Sequence, residues 1–182
     1  ETGLSAMIAQ RGFVWSDAAL ANFTRGARIH RRGDSEPMKI LIVDDHPLVR
    51  DALREHLRRL GGQTEVFEAC TGAKALELAG QHPDADLMLL DLNLPDVQGF
   101  SVLTALRELY PAIPVVVLSA NQDQHTVLEA LDHGAMGFIP KTAGTEVMLN
   151  ALRLVLLGGV YLPADILTTR FLQAGPPKTL TL

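Results

Sequence analysis

The sequence has almost no cysteine, no basic excess and no long apolar run, and each shortage removes a class of protein. Its one cysteine, Cys70, rules out an internal disulfide framework and fits a reducing cytosol, so a cytoplasmic location is expected. The longest apolar runs, such as Met88-Leu89-Leu90 and Leu154-Val155-Leu156-Leu157, are far too short to span a bilayer. The opening Glu1-Thr2-Gly3 lacks the basic-then-apolar layout of a signal peptide and reads as a tag remnant. Lys and Arg number 16 against 21 Asp and Glu, and the resulting net charge of −5 argues against nucleic-acid binding by these residues, which would need a basic face. There is no internal repeat and no low-complexity segment.

What is present is enough apolar material for a core. Hydrophobic residues make up 47% of the 182, which excludes wholesale disorder and allows one domain of ordinary size with flanking segments. Residues 1–37 show no sustained period, carry Arg25, Arg28, Arg31 and Arg32, and end in Gly33-Asp34-Ser35-Glu36-Pro37. They are expected to be a flexible tag or leader, with Met38 the natural start. Within them Ser16 is placed to cap a short helix. The opposing expectation is an extension docked through Phe13, Val14, Trp15, Leu20 and Phe23.

From Met38 the pattern changes. Ile40–Val43, Glu65–Ala69, Leu87–Leu90, Val115–Leu118 and Phe138-Ile139 read as strands, and three of these runs are continuously apolar, as a parallel sheet covered on both faces requires. Helices are expected between them at about 47–60, 72–80, 99–109, 123–133 and 144–157, with Pro47 in the first turn of the first and Thr71 capping the second. Five βα units over residues 38–158 predict a doubly wound α/β domain. Residues 159–182 read as a helical linker, with a helical start at 164–173 and a break at Ala174-Gly175-Pro176-Pro177.

Ligands in such sheets bind at the carboxyl ends of the strands, so the polar residues there are informative. The first strand ends in Asp44-Asp45, the third in Asp91, the fourth in Ser119, and Lys141 follows the fifth. Two unit charges about 4 Å apart repel by roughly 4 kcal/mol at an effective dielectric of ~20, so three carboxylates would not gather for stability alone. A divalent cation with hard oxygen ligands, Mg²⁺, resolves the conflict. In the loop that follows, Pro95 supplies stiffness, Gly99 is expected to take a backbone angle closed to other residues, and Asp96 is expected to cap the following helix rather than hold metal. His46 reads as a residue of the pocket rim, and His125 and His133 as helix-surface residues.

Ile42-Val43-Asp44-Asp45-His46-Pro47, Leu89-Leu90-Asp91-Leu92-Asn93-Leu94-Pro95-Asp96-Val97-Gln98-Gly99, Val117-Leu118-Ser119-Ala120 and Gly134-Ala135-Met136-Gly137-Phe138-Ile139-Pro140-Lys141 resemble, in order and spacing, the signature blocks of receiver domains of bacterial two-component response regulators. The resemblance implies a five-stranded flavodoxin-like sheet of order 2-1-3-4-5 and a phosphoprotein rather than an ordinary enzyme. It implies Asp91 as phosphoacceptor from a sensor histidine kinase, and Mg²⁺ on Asp45, Asp91 and the Asn93 backbone carbonyl, with Asp44 assisting through water. It also implies Ser119 and Lys141 as phosphoryl contacts and Phe138 as the switch aromatic. Pro140 precedes the lysine here, whereas the family often has proline after it.

Gly158-Gly159-Val160-Tyr161-Leu162-Pro163 adds a resemblance to the NarL/LuxR class, in which a linker leads to a helix-turn-helix domain. That resemblance implies transcription regulation, with promoter DNA read by a C-terminal domain lying outside these residues. A haloacid-dehalogenase-type phosphohydrolase would need an Asp where Asn93 stands. A phosphorylation-independent receiver would have lost pocket residues, and none is lost. A dinucleotide site would need glycines where Asp44-Asp45-His46-Pro47 stands. The last helix carries more apolar residues than one stripe needs, which predicts a homodimer or cover from Tyr161-Leu162.

Overall fold

Continuously apolar strands need cover on both faces, and this chain supplies it by alternating strand with helix. The computed structural model describes residues 37–60, 63–164 and 166. Its elements follow in turn as β1 (Met38–Val43), α1 (Pro47–Leu57), β2 (Thr64–Ala69), α2 (Gly72–Gln81), β3 (Leu87–Asp91), α3 (Gly99–Leu109), β4 (Val115–Ser119), α4 (Gln124–Asp132), β5 (Gly137–Pro140) and α5 (Thr145–Leu156). All four strand pairings are parallel and the order is β2-β1-β3-β4-β5, the flavodoxin-like order expected. Among the described residues no helix is long and apolar enough to cross a membrane. The expected features within 1–36, and those of 164–173 apart from Ala164 and Ile166, lie outside the described residues.

Helix starts follow the local chemistry. Pro47 opens α1 where a missing N–H costs nothing. Thr71 Oγ1 accepts the Lys74 N–H at 3.2 Å and caps α2, and Asp123 caps α4 by accepting the Thr126 N–H at 2.9 Å. The helix expected to reach residue 60 tightens into a 3₁₀ turn at Arg58–Leu60.

Period-two alternation sorts the strand residues between two apolar layers. Leu41, Val43, Met88, Leu90, Val117 and Phe138 face one layer, which α2, α3 and α4 complete. Ile40, Ile42, Leu87, Leu89, Leu118 and Ile139 face the other, where Leu53 and Leu57 of α1 and Leu152 and Val155 of α5 cover them. The apolar surplus of α5 is partly absorbed. Met148, Leu149, Leu152, Val155 and Leu156 are buried, while Val147, Leu154 and Leu157 stay exposed. The chain then turns back along the open edge of β5. Phe138 N–H donates to Tyr161 O at 3.0 Å and Tyr161 N–H to Met136 O at 3.3 Å, so the edge is closed by a short parallel bridge. Tyr161 packs with the α1/α5 layer and Leu162 with the opposite one.

Gly99 departs from expectation. Its φ is not positive; among the described residues the glycines with positive φ are Gly134 and Gly158. It is required for space instead, because a Cβ there would lie 2.3 Å from Leu92 Cα and 2.6 Å from Leu92 O. Gly99→Ala should therefore cost about 1–3 kcal/mol, the usual range for overpacking a tight contact. Urea denaturation of the two proteins measures it, and equal midpoints would contradict the steric account.

Candidate functional site

The pleat brings the site together. Asp44 continues the parity of Ile40 and Ile42, Asp91 that of Leu87 and Leu89, and Lys141 that of Ile139, all residues of the α1/α5 layer. Val43 and Leu90 are register partners, so the next residue of each strand, Asp44 and Asp91, stand side by side at the carboxyl edge. Lys141 closes the group, its Nζ 2.7 Å from Asp44 Oδ2 and 2.7 Å from Asp91 Oδ2. Asp44, Asp91 and Ser119 are the buried polar side chains among the described residues, and all three were expected at the site.

Burial alone would lower the pKa of Lys141, but hydrogen bonds and Coulomb attraction from Asp44 and Asp91 outweigh it and hold the ammonium above its ordinary value. The lysine backbone is fixed as well, since its N–H donates to Ser119 O at 2.8 Å. Pro140 keeps the strand register, opposite Ser119, and all described peptide bonds are trans. Ser119 Oγ accepts the Asn121 N–H at 3.1 Å.

Asp45 lies at the mouth, partly exposed, and lines an open cleft with Asn93, Pro95 and Gln98. Ligand atoms from Asp44, Asp45, His46 and Asp91 all lie within 4.8 Å of one another. Three carboxylates face one ammonium, so the cluster keeps an excess of negative charge, and its donor set is oxygen-rich. Both features fit a hard divalent cation. His46 is a rim residue as expected. Its ring is 62% exposed, with Nδ1 2.8 Å from Asp45 Oδ1, and its backbone N–H donates to Asp44 Oδ1 at 2.9 Å. Asn93 sits beside Asp91 and donates its N–H to Asp91 Oδ1 at 3.1 Å. Phe138 is wholly buried in the α2/α3/α4 layer.

Two expectations need correction. Asp96 does not cap the following helix, whose N-cap Gln98 makes no side-chain bond. Its carboxylate instead accepts the Gly72 N–H at 2.8 Å and the Ala73 N–H at 3.1 Å, capping α2 from across the sheet edge. Asp96 lies two residues before the N-cap position that Gln98 occupies, and the α2 amides of Gly72 and Ala73 meet its carboxylate instead. His133 is not a simple surface residue. It ends α4, hydrogen-bonds through Nδ1 to Thr104 Oγ1 at 2.7 Å and stacks on Phe100. His125 is exposed as expected.

Sequence reasoning missed Arg50. Its Nη1 donates to the Asp44 backbone carbonyl at 2.7 Å, and its Nε pairs with Glu68 Oε2 at 3.0 Å. Glu68 also pairs with Arg54. The available signal was an arginine in the first turn after an acidic strand end, one helical turn from Pro47.

Comparison with known proteins agrees with this architecture. Residues 40–153 match the family model described as the response regulator receiver domain. The chain is 47% identical over 132 residues to the glycerol metabolism activator of Pseudomonas putida, covering 72% of this chain and 60% of that protein. It is 37% identical over 120 residues to the nitrate/nitrite response regulator NarP of Escherichia coli, covering 66% and 55% respectively. The chain thus spans somewhat over half the length of these curated relatives. Among solved structures, it superposes on the receiver domain of the putative response regulator NarL from Mycobacterium tuberculosis with a TM-score of 0.61 at 33% identity, covering 66% of this chain and 97% of that one. A LuxR-family response regulator from an Aurantimonas species gives 0.69 at 26% identity, covering 76% and 98%.

The Lys141 pairing carries a pH signature. A raised folded pKa means that the ion pairs stabilise fully below the unfolded value near ~10.4, and that this contribution is lost as pH climbs through the folded value. Lys141→Met should therefore be less stable than the parent by a steady margin from about pH 7 to about pH 10, narrowing above that. Chemical denaturation across the series tests this, and a margin that widens in alkali would contradict it.

Proposed function

Because the chain belongs to the response regulator receiver family, in its NarL/LuxR class, we propose that Asp91 accepts a phosphoryl group from the phosphohistidine of a sensor histidine kinase. The observation that carries this reading is the buried Asp91 carboxylate held 2.7 Å from Lys141 beside a second acidic strand end. In the transfer, an Asp91 oxygen forms the new O–P bond as the N–P bond to histidine breaks, and the imidazole leaves with the electron pair. Phosphoryl transfer demands position and charge neutralisation more than covalent help.

Each residue then has a task. Lys141 leaves its pairing with the carboxylates to contact a phosphoryl oxygen. Ser119 donates its hydroxyl proton to another. Asp45, Asp91 and the Asn93 backbone carbonyl would hold Mg²⁺, with Asp44 assisting through water. When bound, the ion would offset charge on the transferring group. Phe138, buried in the layer on the other face of the sheet, is the switch aromatic. The chain is a signalling module, and its own chemistry is confined to gaining the phosphoryl group and losing it to water. In the whole protein, residues 38–158 act as the receiver, and 159–182 lead towards a DNA-binding domain that reads promoter sequence.

Asp91→Asn should abolish labelling by acetyl phosphate in Mg²⁺, since the amide is no nucleophile, and Asp45→Ala should weaken Mg²⁺ binding sharply. Intact-mass spectrometry reads the first result, and full labelling of the Asn variant would sink the assignment.

The exposed apolar residues of α5, Val147, Leu154 and Leu157, support a homodimer through this helix. Sedimentation should show a dimer with a phosphoryl mimic bound. Monomer under every condition would count against it.

A further inference from the structure

The loop from Leu92 to Gln98 carries Asn93, and its two ends are held differently. The stem is tied to the sheet. Asn93 N–H donates to Asp91 Oδ1 at 3.1 Å, Asn93 and Gln98 form an antiparallel bridge, and Gly99 N–H reaches Leu92 O at 3.1 Å. The tip, Pro95-Asp96-Val97, is exposed and belongs to no strand or helix. It is held by the first turn of α2. Asp96 Oδ1 takes the Gly72 N–H at 2.8 Å and Oδ2 the Ala73 N–H at 3.1 Å. Val97 occupies the space left by Gly72, where a Cβ would fall 2.3 Å from Val97 Cγ1. With Thr71 taking the Lys74 N–H, the first three amides of α2 are satisfied by two side chains, one local and one from the loop.

We propose that Asp96 is a positioning residue for the cation site: by clamping the loop tip to α2 it fixes where Asn93 presents its backbone carbonyl, and so sets affinity for the divalent ion. The inference rests on the Mg²⁺ reading above. A loop tied only at its stem would have to be ordered when the ion binds, and that loss of freedom subtracts from affinity. The clamp removes the loss in advance. The bonds from the Gly72 and Ala73 amides hold the Asp96 carboxyl below the usual carboxylate range, so it carries full charge at neutral pH, where the helix dipole favours it. Each of its oxygens accepts an α2 amide, so Asp96 serves the site from outside the ligand set.

The test is calorimetric titration of the full chain with Mg²⁺ at neutral pH, alongside thermal melts and amide exchange of residues 92–98. Asp96→Ala should raise the Mg²⁺ dissociation constant about tenfold, as loss of an outer support to a metal ligand does, and should speed exchange in the loop before any ion is added. Asp96→Asn, which keeps one acceptor oxygen, should restore part of the affinity. Thr71→Ala removes a cap from the same helix without touching the loop. It should lower the melting temperature yet leave the dissociation constant within about twofold of the parent. Parent-like affinity in Asp96→Ala would overturn the proposal, as would an equal loss in Thr71→Ala. If the parent chain bound no Mg²⁺ at all, the metal reading itself would fall, and the clamp with it.

Discussion

Everything at the carboxyl edge depends on one arrangement: two carboxylates buried side by side with a single ammonium between them. Asp44 and Asp91 have no solvent exposure. Side by side at low dielectric they repel, and nothing in the apolar layers beneath could hold them. Lys141, 2.7 Å from each, makes the geometry tenable. The arrangement is a poor choice for stability and a good one for chemistry. It keeps carboxylate oxygens desolvated beside an ammonium shared between them.

The surroundings serve that arrangement by fixing backbone. Arg50, oriented by Glu68, holds the Asp44 carbonyl from α1. The Lys141 amide is bonded to Ser119 O across the β4–β5 junction. The β3–α3 loop is closed at its stem by Gly99, whose missing side chain admits the Leu92 backbone, and pinned at its tip to α2. Helices α1 and α2 thus brace the end of β1 and the loop after β3, and β4 and β5 brace each other. Rigid support of this kind lets a few side chains keep their positions despite mutual repulsion.

The strand that carries Phe138 is also tied down. Phe138 is buried among the α2/α3/α4 residues, and its backbone N–H is bonded to Tyr161 O. The segment leaving α5 is therefore hydrogen-bonded to the strand that carries both Phe138 and the approach to Lys141. The outgoing chain is thus coupled to β5 through one residue, and the open sheet edge is protected.

Much of this was legible in the residues themselves. Runs such as Leu87–Leu90 and Val115–Leu118 have one stable use in a chain that alternates them with amphipathic helices, so the doubly wound sheet followed from local pattern. The placement of polar residues just after apolar runs marked Asp44, Asp45, Asp91, Ser119 and Lys141, because a strand's end is a local property. What failed were statements about partners distant in sequence. Asp96 looked like the cap of its own helix, but 24 residues separate it from the Gly72 amide it binds. Gly99 looked like a question of backbone angle and proved to be one of contact with Leu92. Arg50 drew no reading at all, because Glu68, its partner on β2, lies 18 residues away. Local periodicity and turn chemistry are set by neighbours along the chain, so composition and order determined the elements and the acidic edge. Which amide, carbonyl or carboxylate meets which across the sheet depends on strand register and helix packing, and only the tertiary structure decided that.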